Sequence, residues 1–243
     1  MSRDKFQDLE KAGLGVKVNE IYFAHQGEGP RLGIPSIFLR LHGCPVKCIW
    51  CDTPFTWDGS EDGQGEDVDA LAVRIIDLAS RDCAEQVVVT GGEPLIAKAL
   101  PRLLNLLLRA GLAVEVETSA CLPPSPGIQL LAGRSGLYFN LSPKMPSAKP
   151  KLLPQAEILA KWLRPGLSTV FKVVVADEED WQAMETLLGE INVPGPAIHL
   201  MPCAVTQEGL SKAQAWLLTR AKGSSYRVTT RMHVAAYGEE RGR

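Results

Sequence analysis

Cys44, Cys48 and Cys51 gather three thiols into the eight residues "CPVKCIWC", a C-x3-C-x2-C arrangement. Four thiolates would close a tetrahedral zinc or iron–sulfur site, the usual form of a structural centre. Three thiolates on a cubic cluster of four irons leave one iron without a protein ligand. An open iron can bind a substrate or a cofactor, so three thiols mean a vacant position. His42 permits a second ending, in which H-x-C-x3-C-x2-C is the zinc site of a non-catalytic module.

Such a loop needs a frame, and apolar runs alternate with helical patterns along most of the chain. "VKVNEIYF" and "SIFLRLHG" read as strands. "GEDVDALAVRIIDLAS" reads as a helix with an acidic start, "EQVVVTGG" as a buried strand, and "KALPRLLNLLLRAG" as a helix with Pro101 in its first turn and Gly111 at its end. Strand "LAVEVETS", a short proline-bounded helix, strand "LYFNLSP", helix "QAEILAKWLR" and strand "TVFKVVV" follow. Helix "DEEDWQAMETLLGEIN", strand "AIHLMP", helix "SKAQAWLLTRA" and a last strand within "YRVTTRMHVAAYG" complete the pattern. Repeated βα units imply a parallel sheet with helices outside. Six units are too few for an eight-fold barrel, so the sequence predicts an α/β fold of partial, open (β/α)6 type. It forms one domain over 1–243, with the cysteine loop, 42–57, after the early strands. Chemistry in such folds collects at the C-terminal ends of the strands, where "HGC", "TGGEP", "ETS", "SPK" and "MPC" all fall.

Composition narrows the classes. Apolar residues make up 45% of the 243, charged residues 22%, and the net charge is −2, which gives no standing attraction to nucleic acid or anionic membrane. "MSRDKFQDLEKAG" lacks the apolar stretch of a signal peptide, and no run approaches the ~18 apolar residues of a membrane helix. The expected location is the cytoplasm, where thiols stay reduced. Cys83, Cys121 and Cys203 lack cluster spacing and are expected to be small buried apolar side chains.

With Trp50 before the last cysteine and "TGGEP", 90–94, after the next barrel strand, the loop resembles the radical S-adenosylmethionine (radical SAM) superfamily. The resemblance implies a [4Fe–4S] cluster on Cys44, Cys48 and Cys51, whose vacant iron binds S-adenosylmethionine. "HQGEGPRLGIPSIFLRLHGCPVKCIWCDT", "TGGEP", "VETS", "SPK", "FKVVV" and "MHVAAYGEERGR" resemble, in order over residues 17 to 243, the 7-carboxy-7-deazaguanine synthase family of the queuosine pathway. The implied reaction is a ring contraction of 6-carboxy-5,6,7,8-tetrahydropterin to 7-carboxy-7-deazaguanine, with loss of ammonia and assistance from magnesium.

That resemblance assigns residues. Arg40 would pair with the pterin carboxylate, while His25, Gln26, Gly27 and Glu28 would read the edge of its ring. Thr90, His233 and the terminal carboxylate of Arg243 would also touch substrate. The cofactor would meet Trp50, Cys51 and Asp52 on the cluster loop, and Gly92 and Glu93, with Glu93 or neighbouring carbonyls on its ammonium. Glu117 would hold its ribose, or form a salt bridge; Ser142, Pro143, Lys144, Met201 and Pro202 would complete the contacts. The hydroxyl of Thr53 would take magnesium, or cap a helix. The family further implies an electron donor such as flavodoxin and a homodimer. Two departures stand out: His25 replaces an aliphatic residue, and "ETSAC" replaces the family's "ETNGT" or "ETQGT", placing Ala120 and Cys121 on that loop. A radical activase working on a partner protein is the rival enzyme reading.

Overall fold

A computed structural model describes residues 7–9, 11–238 and 240. Among these residues the nine strands are β1 (Gly15–His25), β2 (Pro35–Leu41), β3 (Gln64–Asp67), β4 (Gln86–Gly91), β5 (Ala113–Thr118), β6 (Leu137–Leu141), β7 (Ser168–Val175), β8 (Ile198–Pro202) and β9 (Arg227–Val228). They form one open sheet in the order β3-β1-β2-β4-β5-β6-β7-β8-β9. β2, β4, β5, β6, β7 and β8 run parallel to one another, while β1 pairs antiparallel with β2, which is the six-strand partial barrel expected. The α-helices that follow β3 are, among the described residues, α1 (Val68–Arg81), α2 (Leu100–Arg109), α3 (Pro126–Gln129), α4 (Ala156–Ala160), α5 (Glu178–Glu190), α6 (Gln207–Arg220) and α7 (Met232–Tyr237). Among the described residues, no helix is long and apolar enough to cross a membrane.

Local chemistry accounts for the helix starts. Asp67 accepts from the Asp69 and Ala70 N–H groups at the head of α1, Asp177 from Asp180 at α5, and Thr206 from Gly209 at α6. Pro101 stands in the first turn of α2, as expected.

Three details differ from the sequence reading. "QGED" is strand β3, paired antiparallel with the start of β1 from Gly15↔Asp67 to Val18↔Gln64. A polar tetrapeptide carries no strand pattern, and only the edge of β1 makes it one. The helix within "QAEILAKWLR" is confined to Ala156–Ala160. "MHVAAY" is helix α7, and the last strand is only Arg227–Val228.

Alternation along the strands divides the side chains between two faces. Leu39, Val87, Val89, Val114, Val116, Phe139, Leu141, Phe171, Val173 and Leu200 point outward into the main core beneath the helices. The opposite face is polar. Its registers set Arg40 beside Thr90, Glu117 beside Asn140, Lys172 beside His199, and His199 beside Arg227. The lysine of "VFKVVV" and the glutamates of "VEVET" therefore face the barrel interior.

Candidate active site

The cysteine loop leaves the end of β2 and is fastened to the next strand end. The Gly92 N–H donates to the Leu41 carbonyl at 3.0 Å and the Glu93 N–H to the Gly43 carbonyl at 2.8 Å. A Cβ on Gly92 would stand 2.0 Å from the Gly43 oxygen, so only glycine permits this approach. The loop's other side pairs with residues 148–151, through Ile49 N–H to Ala148 O at 2.9 Å and Lys151 N–H to Val46 O at 2.7 Å. Cys44, Cys48 and Cys51 pack into one apolar cluster with Val46, Ala148, Trp50 and Cys121. The Trp57 indole N–H donates to the Cys51 sulfur at 3.5 Å, and Thr53 Oγ1 lies 3.7 Å from it. Burial pushes the Cys48 thiol up to about 11 and raises that of Cys44.

This donor set fits an iron–sulfur cluster. Three soft sulfur ligands in an apolar bed are what such clusters use, and the protons held on these thiols leave when metal binds. No three His, Cys, Asp or Glu side chains among the described residues converge tightly enough for a single ion. The His42 ring is instead hydrogen-bonded through Nδ1 to Asn19 Oδ1 at 3.0 Å.

Beside the loop, the barrel interior holds a row of charges. Lys172, 4% exposed, donates to Glu28 at 2.6 Å and to Glu117 at 2.7 Å. Thr90 donates to the other Glu117 oxygen at 3.0 Å. Arg231 donates from Nε to Glu28 at 2.9 Å, from Nη2 to Asp52 at 2.6 Å and from Nη1 to the Ala204 carbonyl at 2.8 Å. Burial opposes the charge of Glu28, yet Lys172 and Arg231 outweigh it and hold the carboxyl far below its usual range. Burial likewise opposes the charge of Lys172, and Glu117 and Glu28 raise its pKa well above normal. Deeper still, Glu115 accepts from Gln26, Gln86 and Asn140. Burial first, and the charge of Glu117 second, raise its carboxyl to about 7.

The expected site residues divide accordingly. Arg40 sits at this end of β2, its guanidinium held by Glu20 at 2.7 Å and the Tyr22 hydroxyl at 2.9 Å. Gln26 is buried, donating to Glu115 at 3.1 Å and accepting the Glu28 N–H at 3.1 Å. Gly27 faces His233 of α7, whose Nδ1 lies 2.3 Å from where a Cβ would be, and its carbonyl accepts the Met232 N–H at 2.8 Å. Lys144 donates to Ser142 Oγ at 3.0 Å, with Ser142 and Pro143 buried after β6. Met201 and Pro202 end β8. Trp50 is anchored through its indole N–H to Ser147 at 3.2 Å. Thr53 precedes the short turn Pro54–Thr56 and makes no side-chain cap.

Others are engaged differently or lie apart. His25 is exposed, its ring edge-on to Phe23. Both Glu93 oxygens are taken, by the hydroxyl of Thr118, the N–H groups of Leu95 and Ser119, and the Ser119 hydroxyl. Glu93 is thus a clasp between two strand ends. Arg243 lies outside the described residues. Cys83 is exposed, contrary to expectation, because it follows α1 in a left-handed turn at φ 55°. Ala120 holds φ 53°, a conformation glycine adopts more easily, at the position where "ETSAC" departs from the family. Lys172, Arg231 and Glu115 were missed. Each lies in an ordinary-looking segment, and alternation in "VEVET" and "VFKVVV" was the one available signal.

The model of the radical SAM superfamily matches residues 39–168, more than half of the chain. A 7-carboxy-7-deazaguanine synthase of Pyrobaculum aerophilum is 37% identical over 234 residues, covering 94% of this chain and 97% of its own. The chain belongs to the 7-carboxy-7-deazaguanine synthase family. A second such synthase, from Rhodopirellula baltica, is 30% identical over 250 residues, covering 97% of this chain and 91% of its own. The crystal structure of QueE from Escherichia coli shares the fold, with a TM-score of 0.67 and 23% identity over 96% of this chain and all of that one. Membership in this family of radical SAM enzymes implies a [4Fe–4S] cluster and S-adenosylmethionine.

Proposed function

We propose that the chain carries out its family's ring contraction, 6-carboxy-5,6,7,8-tetrahydropterin to 7-carboxy-7-deazaguanine with loss of ammonia, in the polar interior beside the cysteine loop. The observation that carries this placement is the charged row Glu28–Lys172–Glu117, tied to Asp52 of the cysteine loop through Arg231 and to Thr90, the register partner of Arg40, through Glu117. When bound, the cluster and S-adenosylmethionine would supply the one-electron, hydrogen-abstracting chemistry that the ring contraction needs.

Cys44, Cys48 and Cys51 would hold the cluster. Gly92, Ser142, Lys144, Met201 and the backbone of Trp50 to Asp52 would cradle the cofactor, with Glu117 toward its ribose. Arg40, already fixed by Glu20 and Tyr22, would present a guanidinium to the substrate carboxylate without first being ordered. Glu28 stays ionised at neutral pH and can accept N–H groups from the guanidine-like edge of the ring, with Gln26 beside it. Thr90 and His233 would complete the substrate contacts. Thr53 would offer a hydroxyl to magnesium. One domain over 1–243, a homodimer, a cytoplasmic location and an electron donor of flavodoxin type complete the reading.

The test is anaerobic turnover of the reconstituted protein with S-adenosylmethionine, a reductant and the pterin, followed by mass. 7-Carboxy-7-deazaguanine formed without stoichiometric loss of S-adenosylmethionine supports the assignment. Release of 5′-deoxyadenosine with no deazapurine refutes it.

A further inference from the structure

A second cavity, about 600 Å³, opens at the edge of the partial barrel where β8 meets β9, and nothing in the proposed reaction uses it. Its lining includes Gly29, Pro30, His199, Gln214, Arg227 and Thr230, and no carboxylate. His199 is 2% exposed, yet neither ring nitrogen has a hydrogen-bond partner. Buried polar atoms are normally satisfied, and leaving one bare costs about 1–3 kcal/mol. Two on one ring indicate that a polar guest belongs there.

The character of the guest follows from the groups around it. His199 and Arg227 are paired in register on adjacent strands, so both side chains project from the same sheet face. Burial first, and the neighbouring Arg227 second, push the His199 pKa down, which keeps the ring neutral with one donor and one acceptor nitrogen. Arg227 makes no salt bridge or hydrogen bond through its guanidinium among the described residues. The Thr230 hydroxyl donates to Gln214 Oε1 at 3.0 Å, which orients that amide and leaves its NH2 group for the cavity. A cation, a neutral imidazole N–H and an amide NH2, with no carboxylate in the lining, suit an anion. The second imidazole nitrogen accepts, so the anion must also bring an O–H.

We propose that this edge cavity is a binding site for an oxyanion carrying an O–H group, a phosphate monoester or a hydroxy acid, held by Arg227, His199 and Gln214. It is separate from the substrate pocket but shares a wall with it: Gly29 and Pro30 follow Glu28 directly, and Lys172 is the register partner of His199.

Calorimetric titration of the cluster-loaded full chain tests this, with S-adenosylmethionine present and no other oxyanion in the buffer. The probes are inorganic phosphate, sulfate and glycolate. Saturable binding of phosphate or glycolate is expected, and whichever binds names the source. Sulfate, which has no proton to give at neutral pH, should bind more weakly. Arg227→Ala, at an exposed edge position, should weaken binding about tenfold or more, and His199→Phe should do the same. Arg40→Ala should leave it unchanged. Absence of binding in the unaltered chain overturns the proposal. So does binding that survives Arg227→Ala but is lost in Arg40→Ala, which would place the anion in the substrate pocket.

Discussion

Individual side chains here do different work according to what surrounds them. Cys48 and Cys83 are both thiols, but one is buried among the cluster-loop side chains and the other is exposed after α1. Cys48→Ala is therefore expected to abolish cleavage of S-adenosylmethionine and lower bound iron and sulfide, while Cys83→Ala retains both. Cleavage at the unaltered rate in Cys48→Ala would remove it from the ligand set. Glu115 provides a second contrast, because its carboxyl is raised from 4.5 to about 7 by burial and by Glu117. A carboxyl whose folded pKa exceeds its unfolded one binds more protons when folded. Its stabilising contribution is thus full below about pH 4.5 and is lost as pH rises through about 7. Glu115→Gln, which keeps the shape and removes the titration, should flatten the stability profile across that window. It should also stabilise the fold by roughly 2 kcal/mol at pH 8. Denaturant midpoints measured from pH 5 to 8 check both, and parallel profiles for the two proteins would show that Glu115 does not titrate there.

At the scale of elements, the site depends on how strand ends meet. The turn after β4 lies against the start of the cysteine loop closely enough that a methyl group on Gly92 would reach the Gly43 backbone. Backbone cannot swing aside as a side chain can. Gly92→Ala should therefore displace the loop, reduce the iron content of reconstituted protein and lower the melting temperature by a few degrees, as a ~1–2 kcal/mol loss would. Normal iron content in this variant would show that the loop adapts. The parallel strands were legible because β-branched runs alternate with amphipathic helices. β3 was not, since its pairing depends on the β1 edge rather than on its own residues. The C-terminal helix α7 was missed for a related reason: its backbone is fixed by contact with Gly27, more than two hundred positions away.

The whole molecule is drawn together by a few buried ions. Lys172 joins the β1–β2 loop to the centre of the barrel through Glu28 and Glu117, and Arg231 joins the C-terminal segment to that loop and to the cysteine loop. Removing one partner from such a network leaves uncompensated charge in a place water cannot reach. Lys172→Met should cost about 3–5 kcal/mol near neutral pH. The carboxyl of Glu28 is depressed in the folded state, so its contribution is present above its ordinary 4.5 and lost as pH falls. The gap between the two proteins should accordingly narrow in acid. Thermal or denaturant unfolding at pH 7 and pH 4 measures this, and equal gaps at both would place the cost in packing instead of charge.

Short-range spacing determined the chemistry. The three thiols in eight residues, the glycines at the end of β4 and the alternation of strand and helix patterns depend on neighbours in the chain, and the sequence displayed them directly. Tertiary structure decided which polar side chains are partners. Glu28, Lys172 and Arg231 lie on three distant segments, and their charges matter because they are desolvated together, which no local pattern encodes. The same holds for His199, an unremarked residue of "AIHLMP" that only the folded sheet buries without a partner.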